Sequence, residues 1–159
     1  MSDQSIILLV EDNDDHVVLL RRAFQRMRMV NPLQVVNSGE KAIEYLKGIW
    51  RYSNREEYPL PSIVLLDLNL KGLNGFDVLR WIRAQKSLAN LRVVVLTSST
   101  LMRDVVEAYQ LGANSFLVKP TEFDDLVNVM RALAGYWLWI DKEPESSRAE
   151  LQDRKKLDE

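Results

Sequence analysis

The chain has 159 residues, of which 21 are Lys or Arg, 23 are Asp or Glu and none is Cys. That length suits one domain able to bury about 68–70% of its unfolded surface without a covalent staple, and a net charge of −2 leaves no basic surplus for binding nucleic acid through its phosphates. The lack of cysteine excludes disulfides, thiolate zinc sites and cysteine nucleophiles, and a single histidine, His16, excludes multi-histidine metal centres. The longest apolar runs, Ile6–Val10 and Tyr136–Ile140, fall far short of the roughly 20 residues of a membrane span. Met1-Ser2-Asp3-Gln4 also lacks the basic start of a signal peptide. A cytoplasmic protein is expected, with neither membrane nor nucleic acid as partner.

In chain order, short apolar runs alternate with amphipathic stretches: Ile6–Val10, Leu33–Val36, Ile63–Leu66, Val93–Leu96 and Phe116–Val118. The first, third and fourth are apolar on both faces, as parallel strands covered by helices on either side should be. Between them Val17, Leu20, Phe24 and Met27 repeat at helical spacing, as do Val78, Leu79 and Ile82. Five β-α units with right-handed crossovers predict a doubly wound α/β fold. By analogy with flavodoxin-like sheets its strand order is 2-1-3-4-5, which sets strands one and three side by side at the switch point. The connection Gly48–Pro61 is long and aromatic, and Trp50 and Tyr52 read as a packed loop. Residues 5–140 form the domain. Residues 141–159 form a charge-dense tail, with a helix capped by Ser147 and Glu150.

The first strand runs into Glu11-Asp12-Asn13-Asp14-Asp15 and the third ends in Asp67-Leu68-Asn69. Asp14 and Asp15 suit the first turn of a helix through its dipole, and His16 reads as a half-exposed helix residue. Glu11, Asp12 and Asp67 instead converge at adjacent strand ends. Three carboxylates so close repel one another. A hard divalent cation such as Mg2+ relieves the repulsion, taking carboxylate, water and phosphate oxygens. Lys119 after strand five adds a positive charge from across the sheet, and Thr97 after strand four adds a hydroxyl.

Glu11-Asp12, Asp67, Gly75, Thr97 and Lys119-Pro120, in this order, resemble the receiver domains of bacterial two-component response regulators. The Gly48–Pro61 connection and the Trp-rich last helix look most like the single-domain regulators partnered with bacterial phytochromes. The resemblance implies that Asp67 is the phosphoacceptor. It also implies that Asp12, the Asp67 carboxylate and the Asn69 main-chain carbonyl bind Mg2+, with Glu11 helping through water. By the same resemblance Thr97 and Lys119 are expected to contact the phosphoryl oxygens, and the Lys119-Pro120 peptide to be cis. The expected donor is a phosphohistidine on a sensor histidine kinase, a bacterial phytochrome among the candidates, with the signal passing to a downstream protein target. Lys71 stands where many receivers carry proline, so a looser loop is expected. Phe116 takes the aromatic switch position, and Val105 and Tyr109 share its surface.

In the last helix Phe123, Leu126, Met130, Leu133 and Trp137 form the stripe that covers the sheet. A second stripe of Val129, Ala132, Tyr136 and Trp139 lies on another face and implies a homodimer through this helix. The chain is then a phosphoacceptor signalling protein, not an enzyme beyond its own phosphotransfer and slow dephosphorylation. A haloacid-dehalogenase-type phosphatase needs an aspartate where Asn69 stands. An FMN carrier would bring its phosphate against Glu11–Asp15. A phosphorylation-independent interaction module on the same fold is the remaining alternative.

Overall fold

The computed structural model describes residues 5–135. Along the chain run β1 (Ile7–Val10), α1 (Asp14–Arg26), β2 (Leu33–Val36), α2 (Gly39–Lys47), β3 (Ile63–Leu66), α3 (Gly75–Ala84), β4 (Arg92–Thr97), α4 (Met102–Gln110), β5 (Ser115–Val118) and α5 (Phe123–Leu133). Single 3₁₀ turns lie at Trp50–Tyr52 and Lys86–Leu88. The five strands are parallel in the order β2-β1-β3-β4-β5, as the sequence reading expects.

Every residue of β1 and β3 is buried, because both faces of these central strands carry helices. Alternation along the strands divides the core in two. Leu8, Val10, Val64, Leu66, Val93 and Val95 face Tyr45, Val78, Leu79 and Ile82. Ile7, Leu9, Ile63, Leu65, Val94 and Leu96 face Leu20, Phe24, Leu126 and Met130. Successive strand side chains point to opposite faces, so an uninterrupted apolar run fills both halves.

Polar residues fix where the helices begin. The Asn13 side chain accepts hydrogen bonds from Asp15 N (2.9 Å) and His16 N (3.2 Å) and caps α1. Asp14 and Asp15 occupy the first turn as the dipole argument requires. Asn74 and Asp77 form a reciprocal capping box at the start of α3.

The Gly48–Pro61 connection is built from inside. Tyr45, Tyr52 and Tyr58 cluster with ring centroids 5.1–6.0 Å apart. The Arg55 guanidinium donates to the carbonyls of Tyr45 and Leu46 (both 2.8 Å), closing the end of α2 beyond Gly48. Tyr52 is buried as a packed loop requires, but Trp50 is 74% exposed. Tyr52 takes the inward position of the 3₁₀ turn, and Trp50 opens it with φ of 52°.

In α5 Leu126 and Met130 are buried, and Phe123 and Leu133 pack half-buried against them. Val127 joins that core, an addition to the expected stripe. Of the second stripe, Val129 is half-buried against the same core and Ala132 is exposed. Tyr136 and Trp139, like Trp137 and the 141–159 tail, lie outside the described residues. No peptide bond among the described residues is cis. The Lys119-Pro120 bond is therefore trans, against the expectation from the resemblance and in line with the intrinsic preference of Xaa-Pro bonds.

Candidate functional site

Parallel pairing carries the candidate residues to one edge of the sheet. Val10 lies opposite Leu66, and Leu66 opposite Val95. The ladder runs one residue past the strands: Glu11 N donates to Val36 O (3.1 Å), Asp67 N to Val10 O (3.1 Å) and Lys119 N to Thr97 O (2.7 Å). Glu11, Asp67, Thr97 and Lys119 thus share the carboxyl edge, where ligands bind in doubly wound sheets.

Asp67 is 6% exposed and Glu11 is 1% exposed. The Lys119 ammonium donates to Asp67 Oδ2 (3.0 Å) and to Glu11 Oε1. Asp67 Oδ1 accepts from Asn69 N (3.1 Å). Thr97 is fully buried, and its hydroxyl oxygen accepts from Asn69 Nδ2 (3.3 Å) and Ser99 N (3.4 Å). Ser99 Oγ in turn donates to Asp104 in the first turn of α4, so the loop that carries Ser99 is tied to that helix.

Burial raises the Glu11 carboxyl above its ordinary range; the Lys119 hydrogen bond opposes this and the neighbouring Asp67 carboxylate reinforces it. Burial also pushes Asp67 upward. There it is outweighed by the hydrogen bond with Glu11, the charge of Lys119 and the Asn69 N–H, and Asp67 lies below its ordinary value. The two carboxyls are thus pushed in opposite directions, Glu11 up and Asp67 down.

Asp12 meets the loop that follows Asp67. Its Oδ2 accepts from Lys71 N (3.1 Å), while Glu40 Oε1 accepts from Leu73 N (3.0 Å). The loop after Asp67 is therefore pinned by two carboxylates, contrary to the looser loop expected from the absence of proline. A lysine keeps the backbone N–H that proline would remove.

The sequence reading missed His16 as a site residue. Its Nδ1 lies 3.1 Å from Glu11 Oε1 and 2.9 Å from Lys119 Nζ. It is the third residue of α1, and side chains in a first turn lean back toward the helix N-terminus. Its distance in sequence from the capping residue Asn13 was the available signal. At the other flank, Tyr109 Oη accepts from Phe116 N (3.1 Å), joining α4 to β5. Phe116 is half-buried against the core and Tyr109 is 49% exposed.

Glu11, His16 and Asp67 each offer one ligand atom, all within 4.8 Å of one another. Two buried carboxylates facing one ammonium leave an excess of negative charge, and their oxygens are hard donors that suit Mg2+. Gly75 guards this geometry, because a Cβ there would meet Asp67 O at 2.3 Å and Leu68 Cα at 2.7 Å. Both obstacles are backbone. Gly75→Ala is expected to lower stability by about 1–3 kcal/mol through overpacking, read as a fall in the thermal midpoint.

A carboxyl-edge acidic site on a five-stranded 2-1-3-4-5 sheet is the signature of a signalling receiver, and the chain matches the response regulator receiver domain over residues 7–131: it belongs to that family. It is 39% identical over 142 residues to the probable methanogenesis regulatory protein FilR2 of Methanothrix harundinacea, with 89% of each chain covered. To the response regulator Rcp1 of Synechocystis it is 33% identical over 142 residues, covering 87% of this chain and 95% of Rcp1. The Mn2+-bound form of Rcp1 aligns over 84% of this chain and 94% of its own with a TM-score of 0.75. The phosphorylated cyanobacterial phytochrome response regulator RcpA aligns with a TM-score of 0.78 at 30% identity, covering 85% of this chain and 94% of RcpA. None of the helices among the described residues is long and apolar enough to cross a membrane.

Proposed function

We propose that this chain is a single-domain response regulator that takes a phosphoryl group from the phosphohistidine of a sensor histidine kinase onto Asp67. The observation that carries this reading is the Asp67 carboxylate, buried yet held ionised by Lys119 at 3.0 Å and by the Asn69 N–H at 3.1 Å. In the transfer an Asp67 oxygen forms the new bond to phosphorus as the phosphorus–nitrogen bond of the donor breaks. Phosphoryl transfer asks mainly for positioning and charge neutralisation. Lys119 supplies an ammonium and Thr97 a hydroxyl to the phosphoryl oxygens. Asp12, Asp67 and the Asn69 carbonyl, with Glu11 behind them, would hold Mg2+, which supplies charge neutralisation when bound.

The kinship with the phytochrome response regulator RcpA supports a phytochrome-type kinase as donor. Residues 5–140 act as the receiver and 141–159 as a tail. The intact set of Asp67, Thr97 and Lys119 favours this reading over a module that works without phosphorylation. Output runs through Thr97. When its hydroxyl turns to a phosphoryl oxygen, the bonds from Asn69 and Ser99 are exchanged and the loop into α4 adjusts. Val105, Tyr109 and Phe116 then present a different surface to a downstream protein. Beryllofluoride with Mg2+ is expected to change amide exchange across Val105–Lys119; unchanged exchange there would remove the switch.

The sequence pattern of Val129, Ala132, Tyr136 and Trp139 makes a homodimer through the last helix part of the same reading. Light scattering at micromolar concentration is expected to give a dimer for the wild type and a monomer for Tyr136→Glu/Trp139→Glu. A wild type that stays monomeric with and without phosphorylation contradicts it.

A further inference from the structure

A lysine ammonium carries three donors and no acceptor. Around Lys119 Nζ stand three acceptor atoms: Glu11 Oε1, Asp67 Oδ2 at 3.0 Å and His16 Nδ1 at 2.9 Å. Two of them are the buried carboxylates of the site. The third is a ring nitrogen from another element, the first turn of α1. An Nδ1 lone pair facing the ammonium makes this 2.9 Å approach a hydrogen bond. The same Nδ1 lies 3.1 Å from Glu11 Oε1, so the three side chains close on one another. With its side chain 36% exposed, the imidazole lines a groove of about 400 Å³ beside Leu19, Pro120 and Leu126, which leaves the ring open to solvent.

We propose that His16 is a positioning residue, whose Nδ1 lone pair takes the third hydrogen of the Lys119 ammonium and fixes that ammonium between Glu11 and Asp67. Without a third acceptor, Lys119 keeps only its carboxylates, and the ammonium swings about the axis they define. With it, the donor directions are set before a phosphoryl oxygen arrives, which is the condition under which a fixed charge is most effective. The inference rests on Asp67 being the phosphoacceptor only for its kinetic consequence. The orientation of Lys119 can be read without any phosphoryl chemistry.

The experiment compares full-length wild type, His16→Leu, which offers no acceptor, and His16→Gln, which restores an oxygen acceptor of similar reach. The side-chain ammonium signal of Lys119 is followed by 1H–15N NMR, assigned by its loss in Lys119→Arg, and Mg2+-dependent labelling by acetyl phosphate is timed in parallel. The Lys119 signal is expected to broaden or vanish through faster proton exchange in His16→Leu and to persist in His16→Gln. The labelling rate should fall about tenfold in the first, as the loss of one charge-assisted hydrogen bond implies, and stay near wild type in the second. A His16→Leu protein with the wild-type ammonium signal overturns the proposal, as does a His16→Gln protein no better than His16→Leu. A wild type that takes no label while its ammonium responds as expected counts against Asp67 as acceptor and supports the role of His16.

Discussion

Asp67→Asn is expected to fold as the wild type does and to take no phosphoryl group. The substitution keeps the shape of the side chain and an oxygen for the Asn69 N–H that now donates to Oδ1 at 3.1 Å. Lys119 retains Glu11 and His16 as acceptors, so the buried ammonium is not stranded. What disappears is the anionic oxygen that must form the bond to phosphorus. An amide is no substitute as a nucleophile, and the neighbouring Glu11 carboxyl is paired with Lys119 and pushed up by burial, whereas Asp67 is held low. The expected result is complete loss of label with a thermal midpoint close to that of the wild type.

Lys119→Met removes the charge and keeps most of the side-chain volume, and its effect is expected to be almost as large. Lys119 faces both buried carboxyls, so its loss acts twice. Asp67 loses a cause that holds its carboxyl low, which favours the protonated, unreactive form. The transferring phosphoryl group loses a preorganised donor, a change that costs roughly 10²–10³-fold in rate where single oxyanion donors are removed. Stability falls as well, because deleting one partner leaves buried carboxylates without their counter-charge. Timed acetyl phosphate labelling beside a denaturant melt separates the two losses. A Lys119→Met protein that labels within a few-fold of wild type would show that the ammonium does not serve the transfer.

Much of this was readable in the chain. Strands apolar on both faces, such as Ile63–Leu66, belong only in the middle of a layered sheet, and their order places Glu11 and Asp67 side by side. Acids at the ends of two apolar runs and a lysine at the end of a third carried the site. What stayed hidden depends on direction, not residue type. His16 was legible as a helix residue, but its reach to Lys119 follows from how the Asn13 cap sets the first turn. Lys71 entered as a missing proline, whereas its contribution is a backbone N–H that no side-chain pattern advertises. Trp50 and Tyr52 look alike in a sequence, whereas the 3₁₀ turn buries Tyr52 and leaves Trp50 exposed. The trans Lys119-Pro120 bond is a choice between near-degenerate isomers, which composition does not encode.

Intact mass after incubation with acetyl phosphate, with Mg2+ and again with the metal chelated, addresses Asp67 most directly. Wild type is expected to gain one phosphoryl group with Mg2+ and none without it, while Asp67→Asn gains none under either condition. A wild type that stays unmodified with Mg2+ present, or an Asp67→Asn protein that gains the same mass, would contradict the assignment of Asp67 as the phosphoacceptor.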